Sequence, residues 1–248
     1  MVSIRCGDRL FDNLSAVIFD KDGTLADPGD FLLNLARRRT RLVDARIPGV
    51  QEPLLMAMGV LDGAIDPAGL MAVGSYWETS IAAAAYVAET GRGWRESLKI
   101  VEASFAEADQ AWGNKAPHTP MFEDALPCLQ RLHGTGLKLG IASADTPENV
   151  AQFVEHYGLS KYFSAQLGSD RYLAKPSSAF LAKACTALGV TPSQVLIVGD
   201  SLTDVELARQ SDTAGCILVD RGGTNGQAVS AADTVVPELT ALEICGSP

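Results

Sequence analysis

The chain has 248 residues, of which 47% are hydrophobic and 20% are charged, and 30 acidic residues against 20 basic ones give a net charge of −10. This length fits one large α/β domain or a core domain with a smaller inserted one, and the apolar fraction excludes a disordered chain. The acidic balance argues against nucleic-acid binding through a general basic face. An acidic protein can still hold an anion in a local pocket, or use a metal cation to offset its own carboxylates.

The five cysteines are widely scattered and form no CxxC pair, which favours reduced core thiols over a zinc site. No apolar stretch reaches the roughly 20 residues that a membrane span requires. Charged residues at Arg5, Asp8 and Arg9 stand where a signal peptide would need an apolar run. We therefore expect a cytoplasmic protein with no membrane partner.

The first element predicted along the chain is a buried strand at residues 16–19, which ends in Asp20. Four consecutive apolar residues are typical of a central strand in a parallel sheet. Residues 27–120 then show helical periodicity with almost no strand signal. The amphipathic runs in this block cover residues 31–47, 76–90 and 93–112.

After Pro120 the pattern alternates between helix and strand. Strands are predicted at residues 137–142, 165–168, 195–198, 216–219 and 234–236, and helices at 123–133, from Thr146 onward, at 176–188 and at 202–210. Such alternation is typical of right-handed βαβ units around a parallel sheet. We therefore predict an α/β fold with a Rossmann-like parallel sheet core at residues 1–26 and 118–248, and an inserted all-helical cap domain at 27–117.

Polar side chains collect where the predicted strands end, and ligands of such sheets bind outside the carboxyl ends of the strands. They are Asp20, Asp22, Ser143, Lys175, Asp200 and Asp204. Carboxylates this close would repel one another unless a cation such as Mg²⁺, which prefers oxygen ligands, lay between them. A helix expected to begin near Ala144 would offer backbone N–H groups to a phosphate. The sequence thus predicts a metal-dependent phosphoryl-transfer site.

Four segments resemble the ordered motifs of the haloacid dehalogenase superfamily. The segment Phe19-Asp20-Lys21-Asp22-Gly23-Thr24-Leu25 resembles its DxDGT motif, Ser143 its second motif, Lys175-Pro176 its third, and Gly199-Asp200-Ser201-Leu202-Thr203-Asp204 its GDxxxD motif. The order matches over essentially the whole chain. The helical insert resembles the C1 cap of the phosphoglycolate phosphatase and β-phosphoglucomutase branch.

The resemblance implies catalytic roles. Asp20 would be the nucleophile that forms an aspartyl-phosphate, and Asp22 the general acid and base. Ser143 and the backbone N–H of Ala144 would bind the phosphoryl oxygens. Lys175 would pair with Asp20 and with the phosphate, offsetting charge in the transition state.

The resemblance also implies a Mg²⁺ cofactor. Asp20, the backbone carbonyl of Asp22, and Asp200 would hold the ion, and Asp204 would be a further ligand or would orient the metal-bound waters. Dehalogenases and phosphonatases of the superfamily lack an aspartate at the position of Asp22. The expected activity is therefore hydrolysis of a small phosphorylated metabolite, with phosphoglycolate as a candidate; the alternatives are a phosphomutase of the β-phosphoglucomutase kind and a non-catalytic binding protein.

Several other charged or titratable residues are expected to have structural or surface positions and no catalytic role. Lys21 is expected to face solvent or to be hydrogen-bonded locally, and His118, His133 and His156 to be structural or on the surface. The arginines at positions 37, 38, 39 and 41 are expected to form a solvated helix face.

Three further features carry open alternatives. Asp145 and Asp170 would either contact substrate or metal-bound water, or cap a helix or loop. The glycine-rich segment 222–226 lacks the Walker lysine and is expected to be a loop. Trp77, Arg92 and Trp94 are candidates for lining a substrate cavity in the insert, although ordinary packing explains both tryptophans equally well.

Overall fold

The computed structural model describes residues 2–223 and 226–245, so Thr224 and Asn225 of the expected glycine-rich loop lie outside the described residues. The strands are β1 (Val2–Cys6), β2 (Arg9–Leu14), β3 (Ala16–Phe19), β4 (Val60–Leu61), β5 (Ala64–Ile65), β6 (Lys138–Ser143), β7 (Phe163–Gly168), β8 (Val195–Gly199), β9 (Gly215–Val219), β10 (Thr234–Val236) and β11 (Glu243–Cys245). The helices are α1 (Gly29–Arg46), α2 (Gln51–Ala57), α3 (Leu70–Val73), α4 (Tyr76–Glu89), α5 (Trp94–Gln110), α6 (Ala125–Gly134), α7 (Pro147–His156), α8 (Ser178–Leu188), α9 (Leu202–Gln210) and α10 (Gly226–Ala231). No helix within these two ranges combines the length and hydrophobicity that crossing a bilayer demands.

A six-stranded parallel sheet in the order β10-β9-β8-β3-β6-β7 forms the centre of the fold. All four residues of β3 are buried, as its apolar run predicts for a strand covered on both faces. Phe19 at the end of β3 pairs with Ile141 of β6 and Val198 of β8. This register brings the carboxyl ends of the three central strands to the same edge of the sheet.

Helices cover both faces of this sheet. Phe153 of α7 and Leu129 of α6 belong to the apolar cluster on one face. Phe180 of α8, Val205 of α9 and Ala228 of α10 belong to the cluster on the other. The arrangement confirms the predicted α/β class with a Rossmann-like core, and the predicted strands from residue 16 onward are each present within a few residues of their expected bounds.

The segment between β3 and α6 carries five helices, α1 to α5, with an apolar cluster of its own that includes Leu35, Ala84 and Phe105. It is not all-helical, because β4 and β5 form a short antiparallel hairpin. Asp62 and Gly63 make its two-residue turn with φ values of 49° and 79°. An Asp-Gly pair tolerates positive φ at both positions and so favours a tight hairpin, a signal that the helical periodicity of the surrounding block obscures.

A second difference lies at the chain ends, where no strand was expected before residue 16. Strands β1 and β2 form a hairpin, and β11 adds to β1 to make a three-stranded antiparallel sheet. Ile4 and Phe11 pair across it and are buried, with 0% and 2% of their surface exposed. The small sheet therefore adds to the apolar cluster on the α6 and α7 side of the core.

Replacing Phe180 by alanine should lower the free energy of unfolding by about 3–5 kcal/mol, since it removes a buried ring and leaves a cavity. Phe180 has only 1% of its surface exposed. Lys183→Ala, on the exposed side of the same helix, should change stability by less than about 0.5 kcal/mol. Urea unfolding of both variants is the measurement, and equal losses would contradict the assigned burial.

Candidate active site

A buried lysine joins two aspartates at the edge where the central strands end. Lys175 Nζ donates to Asp20 Oδ1 and to Asp204 Oδ1, each at 2.7 Å. Asp20 follows β3 directly, Asp204 lies in the first turn of α9, and Lys175 precedes α8 in a cis peptide bond with Pro176. All three side chains expose 11% or less of their surface, so these charges interact with little screening by water.

Asp200 lies beside this triad. One carboxylate oxygen from each of Asp20, Asp200 and Asp204 lies within 4.8 Å of the corresponding oxygens of the other two residues. Burial raises the pKa of Asp20 to about 6, against the opposing effect of the Lys175 ammonium. Burial and the neighbouring carboxylates of Asp20 and Asp204 raise the pKa of Asp200 well above its ordinary value. Lys175 alone therefore does not compensate the negative charge gathered here.

The uncompensated charge fits a divalent cation. The donor set is made of carboxylate oxygens only, which is the chemistry that Mg²⁺ prefers. Asp204 is the least available of the three, because Lys175 occupies its Oδ1 and Ser201 donates to its Oδ2 from both the backbone N–H and Oγ. Asp204 is therefore better placed to orient metal-bound waters than to bind the ion directly. It also caps α9 as a first-turn aspartate.

Gly23 is required where the loop after β3 passes Asp200. Its φ is +81°, and a Cβ placed there would lie 2.1 Å from Asp200 Oδ2. A side chain at this position would therefore both strain the backbone and displace the carboxylate. Thr24 next to it donates its Oγ1–H to Asp200 Oδ1 at 3.3 Å.

A second network of charges holds Asp22. Lys21 Nζ lies 2.7 Å from Asp22 Oδ1 and 3.1 Å from Asp145 Oδ2. Lys115 Nζ lies 3.2 Å from Asp22 Oδ2 and also pairs with Asp145. Although burial works against it, Lys115 and Lys21 hold the pKa values of Asp22 and Asp145 below their ordinary range. Asp22 is thus fixed as a carboxylate by two lysines.

The expectation that Lys21 faces solvent is wrong, because its side chain is 1% exposed; the alternative of a local hydrogen bond is the one observed. Lys115 was not singled out in the sequence at all. It lies 93 residues from Asp22 along the chain, in no motif, and no periodicity of the insert connects it with the strand ends.

The loop after β6 differs in detail from expectation. Helix α7 begins at Pro147 with Thr146 as its N-cap, which confirms the start predicted at Thr146 but lies three residues after the start near Ala144 that was expected to offer N–H groups to a phosphate. Ser143 is buried at the end of β6, where its Oγ accepts from the Asp145 N–H at 3.1 Å. Ala144 contributes to the walls of both cavities that adjoin the site.

Two cavities meet at Asp22. One, of about 340 Å³, contains Asp20, Lys175 and Asp200 and is called here the reaction cavity. The other, of about 360 Å³, extends between Asp22 and the helical insert and is called the insert cavity. Their walls share Asp22, Leu32, Ala72 and Ala144.

One expectation for a single residue is wrong, and the alternatives left open for others are narrowed. Arg39 does not belong to a solvated face: it is 7% exposed and makes two hydrogen bonds to Asp109. Trp77, Arg92 and Trp94 are absent from the walls of both cavities. Asp170 is exposed and caps a loop by accepting from the N–H groups of residues 172 and 173.

Asp145 lines the insert cavity and is hydrogen-bonded to residues at the start of α7. Its Oδ1 accepts from the N–H of Thr146 and from Asn149 Nδ2.

Lys21→Met should lower the free energy of unfolding by about 3–5 kcal/mol at neutral pH, since it leaves two buried carboxylates short of a partner. The pKa values of Asp22 and Asp145 are lowered in the folded protein. Their stabilisation is therefore present above pH about 4 and is lost as the pH falls, so the variant should differ less from the parent at pH about 3. Urea unfolding at both pH values is the measurement, with the exposed Lys99→Met as control; a pH-independent loss would contradict the ionic network.

Two phosphoglycolate phosphatases are similar to this chain in sequence, and one solved structure is similar to it in fold. A phosphoglycolate phosphatase from Salmonella paratyphi A is 32% identical over 142 residues, 56% of this chain and 54% of the relative, so the chain spans about half the length of that relative. A phosphoglycolate phosphatase from Chromobacterium violaceum is 26% identical over 93% of this chain and 95% of its own. The crystal structure of a protein from Haemophilus somnus, described as a predicted phosphoglycolate phosphatase, superposes with a TM-score of 0.67 at 18% identity over 92% and 95% of the two chains.

The fold, the four motif segments at one edge of the sheet and a family model point the same way. Residues 14–212 match the model of a family described as haloacid dehalogenase-like hydrolase. The matched range runs from the strand before Asp20 to the helix that carries Asp204. The chain therefore belongs to the haloacid dehalogenase-like hydrolase family.

Proposed function

We propose that the protein is a phosphatase that hydrolyses a small phosphorylated metabolite through an aspartyl-phosphate on Asp20. The observation that carries this proposal is the cluster of Asp20, Asp200 and Lys175 in the reaction cavity, with Asp22 on its wall. In phosphoryl transfer most of the catalysis is positioning and charge stabilisation. Asp20 is suited to this reaction because it lies beside the Lys175 ammonium and beside Asp200, with which it can bind a cation.

The first step forms the covalent intermediate. An Asp20 carboxylate oxygen attacks phosphorus in line, and the new O–P bond forms as the bond from phosphorus to the alcohol oxygen breaks. In the free protein Lys21 and Lys115 favour the carboxylate form of Asp22; the negative phosphoryl group of a bound substrate would favour uptake of a proton by Asp22, which then donates it to the leaving oxygen. In the second step Asp22 removes a proton from water, which attacks phosphorus and releases inorganic phosphate and the free Asp20 carboxylate. Ser143, the backbone N–H of Ala144 and Lys175 would hold the phosphoryl oxygens.

We propose Mg²⁺ as the cofactor. Asp20, the backbone carbonyl of Asp22, and Asp200 would hold it, with Asp204 as an orienting partner. When bound, the ion would neutralise the carboxylates and the phosphoryl oxygens together. The raised pKa of Asp200 supports this assignment. Burial and the carboxylates of Asp20 and Asp204 raise it, and the cations among the described residues do not offset them.

We also propose that residues 27–117 act as a cap domain over a core made of residues 1–26 and 118–248. The separate apolar cluster of the insert supports this division. The two connecting segments run side by side, with the Asp27 N–H donating to the Pro120 carbonyl and the Phe122 N–H to the Leu25 carbonyl. Phosphoglycolate, the substrate named for the relatives, is the first compound to be tested.

Asp20→Asn should reduce phosphate release from any phosphomonoester by a factor on the order of 10⁴ or more, since the amide is no nucleophile. Circular dichroism should show an unchanged fold. The exposed Asp8→Asn, in the turn between β1 and β2, is the matched control and should retain parent activity. Activity retained by Asp20→Asn would remove this residue from the mechanism.

Mg²⁺ should raise the melting temperature, and more so at pH 7.5 than at pH 5. The pKa of Asp20 is raised to about 6 and that of Asp200 is also raised. Between pH about 4 and 6 the metal-free folded protein therefore binds more protons than the unfolded chain, and its stability falls as the pH rises through this range. At pH 5 a cation must displace the protons bound to these carboxylates, so Mg²⁺ binds more weakly and stabilises the protein less than at pH 7.5. Thermal unfolding with Mg²⁺ and with chelator measures the difference. Asp200→Asn should reduce the stabilisation, and an equal effect of Mg²⁺ at both pH values would contradict the assigned site.

A further inference from the structure

We propose that the enzyme acts on phosphomonoesters whose alcohol portion is uncharged and largely apolar, and that the insert cavity receives that portion. This inference rests on the proposed phosphatase activity and deepens it by naming the class of substrate. It departs from phosphoglycolate, whose alcohol portion carries a carboxylate.

The position of Asp22 decides where the alcohol portion lies. The reaction cavity contains Asp20 and Lys175, where the phosphoryl group would react. Asp22 belongs to the walls of both cavities, and a general acid must lie within hydrogen-bond reach of the leaving oxygen. The leaving oxygen would therefore be at the junction, and the rest of the alcohol would extend into the insert cavity.

Apolar side chains form one part of the wall of the insert cavity, beside five charged residues and the polar Thr79, Thr146 and Asn149. Phe31, Leu32, Leu35, Met71 and Trp112 contribute to it, so an apolar group that enters leaves water for hydrocarbon and aromatic surface. Its volume of about 360 Å³ lies within the roughly 300–1,000 Å³ typical of small-molecule sites. The two-carbon acid portion of phosphoglycolate would leave most of this space unfilled.

The charges on the same wall are already paired. Arg39 donates from Nε and Nη2 to the two carboxylate oxygens of Asp109, at 3.1 and 2.9 Å. Lys115 donates to Asp22 and Asp145. Carboxylates outnumber cations among the ionisable residues of this wall. A substrate carboxylate would therefore meet repulsion, or would have to take a cation away from a carboxylate that is then left poorly compensated.

A pair of nearly isosteric substrates tests the charge. Isobutyl phosphate and phosphoglycolate have the same number of non-hydrogen atoms and a similar branched end, but only the second has a carboxylate there. With the full-length protein and Mg²⁺, kcat/KM should be higher for isobutyl phosphate by about tenfold or more. Phenethyl phosphate, which adds apolar surface with an alcohol of similar acidity, should exceed isobutyl phosphate by about tenfold.

Two alanines of α5 provide matched variants that test the cavity itself. Ala106 lines the insert cavity at an exposed position, and Ala103, one turn earlier, is exposed but is not part of the wall. Ala106→Phe should narrow the cavity and lower kcat/KM for phenethyl phosphate by about tenfold, with a smaller effect on isobutyl phosphate. Ala103→Phe should leave all three values unchanged.

The possible failures of the two proposals are distinguishable. If phosphoglycolate is hydrolysed as well as isobutyl phosphate or better, or if Ala106→Phe does not affect phenethyl phosphate, the apolar substrate class is overturned while the phosphatase proposal stands. If none of the three esters releases phosphate at a rate that depends on Asp20, both proposals are overturned.

Discussion

The concentration of buried carboxylates at one edge of the parallel sheet is the constraint on which the rest of the site depends. Strand β3 ends just before Asp20 and β8 just before Asp200, and because the strands are parallel neighbours these side chains are brought together by the fold itself. Such an arrangement is stable only with positive charge close by. Lys175 provides part of that charge, bound between Asp20 and Asp204, and a divalent cation would provide the remainder.

The second ion network has a different consequence, because it joins the helical insert to the core. Asp22 and Lys21 come from the loop after β3, whereas Lys115 lies between α5 and α6. A displacement of the insert that separates Lys115 from Asp22 would leave that carboxylate with Lys21 alone. The position of the insert and the electrostatic environment of Asp22 are therefore coupled. The same pairing engages the cationic side chains of the insert cavity, which is one ground for our proposal that its ligand is uncharged.

Much of the fold could be predicted from local patterns. The buried run at residues 16–19, the alternation after Pro120 and the amphipathic insert are features that neighbouring residues determine, and each predicted strand from residue 16 onward is present. The missed β1–β2 hairpin depends on pairing with β11, more than 200 residues away along the chain. The hairpin of β4 and β5 is only two residues per strand, too short for a periodicity to register, although its Asp-Gly turn was a usable signal.

The sequence by itself determined the family: the ordered segments around Asp20, Ser143, Lys175 and Asp200 identify it, and the βαβ pattern specifies the direction of the strands that precede them. Only the tertiary structure decided how the charges are paired. Arg39 was expected on a solvated helix face, Lys21 was expected to face solvent or to be hydrogen-bonded locally, and Lys115 carried no prediction; all three are buried against aspartates. Arg39 and Lys115 pair with aspartates 70 and 93 residues away along the chain, and Lys21 also reaches Asp145. Such partners meet only in the folded chain, so no local pattern reveals that these charges are buried.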